Sequence, residues 1–549
     1  MKVVPSNRWG SRERVVQSHC LSFQQVPHST RLFLDYLYHF DKVRRFFPRA
    51  PFSRDWLQDE VSRLHYDAAR RERVAAVLER QNRAWGASQE TRDNIARFRA
   101  GAAAVVTGQQ VALFGGPLFS IYKALTAIKL AVEFSHAGQE CVPVFWLATE
   151  DHDLAEVNHV TLLAADGSLA PFATEAHGPE NAPMSAVRFD SEIEARAEEA
   201  ARLLGDTDAA GFLRASYRAG ETLGSAFGKL FSRLFQHSGV ILIDASDPEL
   251  HAVAESVYRA AIVAAKDLDD ALLGRSRELE AAGYHAQVKV TPSSTLLFAM
   301  KDGSRVPIHR ANGQFTLAEE KLSQDELLRR IGQRPAEFSA NVLLRPVVED
   351  YLLPTVAYVG GPAEIAYFAQ AAVVYEELLG RVTPILPRLS ATLVEPRIQR
   401  LLERYGLSLA ETFLDPEHLR VLIAERALPG DINASFDAAA QQLEGSLQAI
   451  QSSLERLDPT LVEAAERAGS KIRYQLDRLR ERAARAQLRR SEETAAHAAA
   501  LSNALFPQKE PQERVIGAMS FLGRYGTQLL LTLYDAAKTG CPDHQVVYP

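Results

Sequence analysis

Hydrophobic positions change their spacing along the chain, and those changes outline its architecture. Residues 21–100 read as helices. Ser29 and Thr30 are placed to cap RLFLDYLYHF, and a longer charged helix runs from about Trp56 to Arg83 with apolar residues three and four apart. TRDNIARFRA follows a Gly-Ala-Ser break at 86–88. Small and apolar residues from Ala102 to Val106 then predict a buried strand that runs into Thr107-Gly108-Gln109-Gln110. A Gly115-Gly116-Pro117 step opens the next helix, which continues through SIYKALTAIKLAVEF. Cys141 to Ala148, CVPVFWLA, is a compact apolar run of the kind found in parallel strands covered on both faces. Strand, helix and strand in succession make one βαβ unit.

Residues 161–236 are less regular, with Gly/Pro/Asn-rich text around 165–190 and then helices rich in Ala and Glu. Gly239–Asp244 is another short strand ending in an acid, and Pro248 opens a helix behind it. KVTPSSTLLFAM and RVPIHRANGQFTL flank Lys301-Asp302-Gly303, which predicts a hairpin inside an insertion. The doubly wound pattern resumes near Asn341, through LLRPVVEDYLLPTVAYVGGPAEIAYFAQ and PILPRLSATLVEP. From 430 the period changes. Phe436, Ala440, Leu443, Leu447, Ile450, Leu454 and Leu457 form an unbroken seam with alternating steps of four and three. Asp458-Pro459 makes a turn, and a second long helix runs from about Thr460 to Leu505. Its seam (Leu461, Ala465, Ala468, Ile472, Leu476, Leu479, Ala483, Ala486) carries one extra step of four, which predicts a local unwinding. The two helices are expected to form an antiparallel arm for self-association. Lys471 and the seven arginines that follow it up to residue 490 read as the solvated face of that arm.

Composition narrows the class. The chain has 549 residues, 46% hydrophobic and 24% charged, as in ordinary globular proteins, and its length calls for two or three domains. A net charge of −7 and a pI near 6.1 argue against broad binding to nucleic acid. Cys20, Cys141 and Cys541 are far apart and give neither a disulfide framework nor a metal motif, so a reducing, cytoplasmic setting is expected. The N-terminus has no apolar core of signal-peptide length, and no stretch reaches the ~18 apolar residues of a membrane span.

Three stretches carry candidate chemistry. Gly115-Gly116-Pro117 and Gly360-Gly361-Pro362 each follow an apolar strand, open a helix and place a tyrosine five residues after the proline, Tyr122 and Tyr367. Helix N-termini behind glycines offer unpaired N–H groups and positive partial charge to phosphate or carboxylate. Two of them from the two halves of a doubly wound sheet are expected to face one crevice, although the same text also fits tight strand-to-helix connections. Glu150-Asp151-His152-Asp153, just beyond Trp146 and followed by Glu156, is the densest ionisable group. It suits Mg²⁺ binding, amine orientation or proton acceptance, with His152 and an adjacent aspartate favoured. Arg345, ahead of Glu349, Asp350 and Tyr351 and read as lying near a strand terminus, suits a carboxylate or phosphate, and equally a structural ion pair. Arg388 and Ser390 raise the same question. Lys321-Leu-Ser-Gln-Asp325 superficially resembles the mobile lysine loop of class I aminoacyl-tRNA synthetases, but Ser323 with Glu326 reads as a capping box.

Taken together, PHSTRLFLDYL, VVTGQQVALFGGPLFSIYKALTAIKLA, VPVFWLATEDHDLAEVN, the 341–370 stretch, PRLSATLVEP and the C-terminal ERV…LGRYG segment resemble the bacillithiol biosynthesis cysteine-adding enzymes. The resemblance implies an α/β fold: a Rossmann-like, doubly wound core related to class I synthetases and nucleotidyltransferases, with insertions and a C-terminal α-helical antiparallel coiled coil that makes a homodimer. It also implies a ligase that joins cysteine to glucosaminyl-malate through an amide bond. An acyl group activated by ATP and Mg²⁺ is the expected chemistry, with no structural metal. The expected site comprises His152, Asp151, Asp153, Lys123 and Arg345 as catalytic groups. Thr107, Gly108, Gln109, Gln110, Gly115, Gly116, Pro117, Trp146, Glu150, Asp350, Tyr351, Gly360, Gly361, Pro362, Glu364, Tyr367, Arg388 and Ser390 are expected to bind substrate or nucleotide. The expected segments are 1–100, helical; 101–160, first half of the core; 161–236, connecting insertion; 237–264, core strand and helix; 265–338, second insertion; 339–429, second half of the core; 430–507, coiled-coil arm; and 508–549, packing back on the core. A metal-dependent hydrolase using the acidic cluster, and a non-catalytic coiled-coil interaction protein with a nucleotide-binding core, stand as alternatives.

Overall fold

A computed structural model of the protein describes residues 17–549. One compact unit comprises the chain up to Leu393 together with Glu513–Pro549, and a second comprises Val394–Gln512. The first is built on a parallel sheet. Its elements are β1 (Ala103–Gln109), α1 (Leu118–His136), β2 (Cys141–Leu147), β3 (Ile241–Asp244), α2 (Arg345–Leu352), β4 (Thr355–Gly360), α3 (Pro362–Leu379) and β5 (Ile385–Pro387). Strand order is β5-β4-β1-β2-β3, all parallel, so the winding reverses between β1 and β4. Every residue of β2 and β4 and all but the last of β1 is buried, which is why these strands read as continuous apolar runs without alternation. This is the doubly wound, Rossmann-like core that the sequence pattern predicts. Its switch point lies at the carboxyl ends of β1 and β4, where ligands of such sheets bind.

The insertions hold more β structure than the sequence shows. Residues 161–236, irregular as text, contain the end of a hairpin that pairs His159–Leu163 with Leu169–Ala173, and then three helices. The second insertion is a five-stranded antiparallel sheet, not a lone hairpin. Gln314–Leu317 and Glu320–Leu322 extend it on one side, and Phe338–Ala340 pairs with Ser294–Lys301 on the other. The helix that follows carries the capping box: Glu326 N–H donates to Ser323 Oγ, and Ser323 N–H donates to the Glu326 carboxylate at 2.8 Å.

Helix boundaries also move where a polar side chain wins a backbone partner. The expected Trp56–Arg83 helix is two helices, Leu57–Ser62 and Ala68–Ala84. Asp67 caps the second by accepting the Arg70 N–H at 2.7 Å. The expected Thr460–Leu505 helix is likewise two, Leu461–Arg490 and Glu492–Leu505, because Ser491 caps the latter. Both belong to the second unit, which starts at Val394 rather than at 430 and also holds Pro396–Tyr405, Pro416–Arg426 and Gly430–Leu457. Arg473 reaches Glu444 and Arg480 reaches Asp437, so two arginines of the run pair with acids across the two long helices. Ile450, Leu457, Ile472 and Leu479 of the apolar seam stay exposed. Among the described residues no helix is long and apolar enough to cross a membrane.

Strands from both ends of the described chain close the first unit. Ser18–Leu21 pairs with His544–Val547, which pairs in turn with Ala391–Leu393. Beneath this small sheet, Glu513 is fully buried and accepts both terminal nitrogens of Arg388, the Ser390 hydroxyl and the Ala391 N–H. The His544 ring sits between Ser390 Oγ and Thr392 Oγ1, each 2.8 Å away. Burial pushes the His544 imidazole down to about 4, against the pull of Glu513. The folded protein therefore binds fewer protons here than the unfolded chain between pH 6.5 and 4. Stability is full above 6.5 and declines as pH falls, by roughly 3 kcal/mol at completion. Thermal unfolding followed from pH 7 to 5 should show this slope, and His544→Gln should flatten it; an unchanged slope in the variant would assign the effect elsewhere.

Candidate functional site

The switch point opens into a crevice of about 670 Å³. Its floor is made by the ends of β1 and β2: Gly108, Gln109, Gln110, Trp146, Ala148, Glu150 and Asp151. One wall is the start of α3, Gly361 to Glu364 with Tyr367, together with Phe119 and Lys123 of α1. Another is formed by Asn341, Val342 and Arg345 at the start of α2, with Phe298 and Arg305 from the inserted sheet. Gly108 is needed for close packing, since a Cβ there would lie 3.1 Å from the Trp146 backbone oxygen and Cβ.

Lys123 ties the two halves together. Its buried ammonium donates to Gly108 O at 2.8 Å and Gln109 Oε1 at 2.7 Å, and pairs with Glu364 Oε2 at 2.7 Å. Burial lowers its pKa, and Glu364 opposes that shift. Glu364 in turn accepts the Gly361 N–H at 2.7 Å and the Tyr358 hydroxyl at 2.8 Å. The N-terminus of α3 thus already carries a carboxylate of its own.

Arg345 occupies the first turn of α2, not a strand end, and donates to the Tyr367 hydroxyl at 2.6 Å. Burial works against its charge, but Tyr367, Tyr358 and Glu349 hold its pKa above the usual value. Asp350 binds the Thr383 hydroxyl and lies 3.8 Å from Arg381, so the expected ion pair to Arg345 is absent there. Burial raises the Glu349 and Asp350 carboxyls.

The acidic cluster divides. Glu150 lies in the crevice floor, and burial raises its pKa against the pull of His251 and Arg305. His251 Nε2 stands 3.4 Å away. Asp151 accepts from Gln110 at 2.7 Å and from the His152 N–H at 2.8 Å; these bonds outweigh burial and keep its carboxyl low. His152 does not itself line the crevice but stands beside residues that do, with Nδ1 3.3 Å from Arg305 and 3.8 Å from Asp151 Oδ1 and its ring against Phe298. Asp153 is exposed at the start of a short helix. Glu150 and Asp151 thus reach the crevice and Asp153 does not, while among the described residues the one cluster of potential metal ligands is Cys20, Cys541 and Asp543.

Other expected residues also fall outside the crevice. Gly115 and Gly116 have φ of 84° and 69° and shape a turn that the protein itself fills. The Gly115 N–H donates to the Tyr217 hydroxyl, Pro117 bridges Gly517, and the Leu118 N–H donates to Ile516 O. The expectation of two equivalent Gly-Gly-Pro turns facing one ligand is therefore corrected: only the second lines the crevice, and Gly108–Gln110 takes the place of the first. Thr107 bonds Val359 O within the sheet. Tyr351 accepts from Ser256 and stacks under Arg70. Gly360 and Ser390 line a separate small cavity, and Arg388 borders both spaces.

Arg305 and His251 are the participants that sequence reasoning missed. Arg305 sits in an inserted strand, held by Ser339 Oγ and Ala340 O and stacked 4.0 Å over Phe298. Burial lowers its pKa against the attraction of Glu150 and Asp151. His251 sits on the apolar face of a helix, where it reads as core.

The crevice presents Lys123, Arg305, Arg345, Arg388 and Arg514 against Glu150, Asp151, Glu156 and Glu364. Trp146 Nε1, Glu150 Oε1 and Arg345 Nε are buried there without hydrogen-bond partners. Such groups cost about 1–3 kcal/mol each when left unmade, so a polar ligand that met them would recover that energy. The arrangement suits a ligand carrying both carboxylate or phosphate and amine groups.

Comparison with known proteins agrees in extent. Residues 16–389 match the N-terminal Rossmann-like domain of bacillithiol biosynthesis BshC, and residues 391–549 match its C-terminal coiled-coil domain. The chain is 50% identical over 528 residues to a protein of Koribacter versatilis (strain Ellin345) named "Putative cysteine ligase BshC", covering 96% of this chain and 99% of the relative. Proteins of the same name from Solibacter usitatus (strain Ellin6076) and Salinibacter ruber (strain DSM 13855 / M31) are 35% and 34% identical, covering 96% and 94% of this chain and 99% and 96% of their own lengths. The chain belongs to the bacillithiol biosynthesis BshC family.

Proposed function

We propose that this protein is a cysteine ligase that joins the cysteine carboxyl to the amine of glucosaminyl-malate, the last step of bacillithiol synthesis. The observation that carries this reading is the switch-point crevice, in which cations and carboxylates face each other and Trp146 Nε1 and Arg345 Nε are buried without hydrogen-bond partners. Cysteine brings an ammonium and a carboxylate; glucosaminyl-malate brings an amine and two carboxylates. Arg345, whose Nε lacks a hydrogen-bond partner, suits a carboxylate, with Arg305 adding positive charge beside it, and Glu150 with Asp151 suits the amines.

A carboxylate does not condense with an amine in water unless it is activated, and ATP with Mg²⁺ would supply that activation as an adenylate. The cationic groups of the crevice suit phosphate, and Mg²⁺ would be carried by the phosphates themselves. As the amide forms, the attacking amine must lose a proton. Glu150 is the crevice group suited to take it, because burial has made it a stronger base than an exposed glutamate. Arg305, anchored to Ser339 and Ala340, attracts the Glu150 carboxylate through its charge, and His152 acts through Arg305 as a positioning residue. The exposed Ile450, Leu457, Ile472 and Leu479 support a homodimer through the long helices, and the cytoplasm is the compartment in which we place the enzyme.

Two measurements test this. With cysteine, glucosaminyl-malate and ATP–Mg²⁺, Glu150→Gln should lower turnover by about 10²–10⁴-fold and remove the acidic limb of the pH profile, which should lie above the ordinary glutamate value. His152→Asn should cost far less; the reverse ranking would return the base to His152. Product formed without any nucleotide would end the adenylate scheme and leave the ligation intact. No product under any condition, with no stabilisation by cysteine or glucosaminyl-malate, would remove the ligase reading.

A further inference from the structure

The three cysteines look unrelated in the sequence, but the fold brings two of them together. Cys20 lies in the Ser18–Leu21 strand and Cys541 lies just before His544–Val547, the strand that pairs with it. Their sulfurs are 3.4 Å apart although 521 positions separate them in the chain. Cys20 is exposed, and Cys541 is partly buried in the wall of a small cavity. The other walls of that cavity include Gly360 and Gly361 behind the crevice. Asp543 approaches the same two sulfurs and accepts the Tyr38 hydroxyl at 2.7 Å. Cys141 is the internal contrast: it is buried in β2, and burial pushes its thiol up to about 12.

We propose that Cys20 and Cys541 are a reversible redox pair, oxidised by low-molecular-weight disulfides to a single intramolecular bond that staples the Ser18–Leu21 strand to the C-terminal segment. The exchange balances in two steps. Cys20 loses its proton to solvent and attacks the small disulfide, forming a mixed disulfide and releasing one small thiolate, which takes up a proton. Cys541 loses its proton and attacks the Cys20 sulfur, forming the Cys20–Cys541 bond and releasing the second small thiol. Two protein thiols are oxidised, and one small disulfide is reduced to two thiols. Exposure makes Cys20 the entry point, and proximity makes Cys541 the resolving thiol. The inference stands on this geometry alone and does not depend on the ligase reading.

The test is to incubate the native full-length protein with cystine, block free thiols with iodoacetamide, and analyse it by non-reducing mass spectrometry. The expected result is a Cys20–Cys541 linked peptide, an intact mass lower by two hydrogens with only Cys141 left to alkylate after denaturation, and full reversal by dithiothreitol. Cys541→Ser should instead trap a stable cysteinyl adduct on Cys20. The oxidised protein should unfold at a higher temperature than the reduced one, with no such shift in Cys20→Ser. Cysteinyl adducts on the native protein without the link, links that include Cys141, or full alkylation of both thiols after treatment would overturn the proposal.

Discussion

The ion pair between Lys123 and Glu364 is the constraint on which the site depends. It joins α1 to the N-terminus of α3 across the reversal in strand order, and the same ammonium reaches the carboxyl end of β1 through Gly108 O and Gln109 Oε1. Buried charges of this kind are costly to strand, about 3–5 kcal/mol when one partner is removed, and the surrounding groups show how the cost is offset. Gly108 O and Gln109 Oε1 take the remaining lysine protons; the Gly361 N–H and the Tyr358 hydroxyl take the glutamate lone pairs. The crevice therefore has one neutralised, rigid seam, and its unspent hydrogen-bonding capacity lies to either side, at Trp146, Glu150 and Arg345.

A second layer fixes the cations. Arg388 would be an ordinary buried liability without Glu513, and Glu513 would be one without the Arg388 fork, Ser390 and the Ala391 N–H. Burial opposes the charge of Glu513, yet Arg388 keeps its carboxyl below the usual range. Arg305 is held by one hydroxyl and one carbonyl of the inserted sheet. Insertions that look peripheral in the sequence thus supply a wall of the site.

The fold was legible wherever burial on both faces forced continuous apolar text, as in β2 and β4, and wherever a capping side chain stood at its expected offset, as with Ser323 and Glu326. Of the site, Lys123, Arg345, Glu150, Gln110 and the second Gly-Gly-Pro turn were visible because charge or glycine interrupts those runs. The first Gly-Gly-Pro turn misled because local sequence cannot show that Tyr217 and the Ile516–Gly517 backbone consume its donors. Arg305 and His251 were invisible for the opposite reason. Each lies in text whose pattern is that of an ordinary strand or an amphipathic helix, and only tertiary placement brings its charge near Glu150. The cysteine pair is the extreme case, since nothing local links residues at opposite ends of the chain.

The discontinuity of the first unit has a consequence for how the protein is made. Its sheet, crevice floor and inserted wall are all encoded before Leu393, yet the acid that seats Arg388 arrives only with Glu513, after the whole of Val394–Gln512 has left the ribosome. Domains encoded in one piece can fold as they emerge. Here the nascent core must wait, with the Arg388 guanidinium unmatched and the Ala391–Leu393 edge open, until Glu513 and the His544–Val547 strand have been made. The first unit can therefore be completed only after the whole of the second has been synthesised.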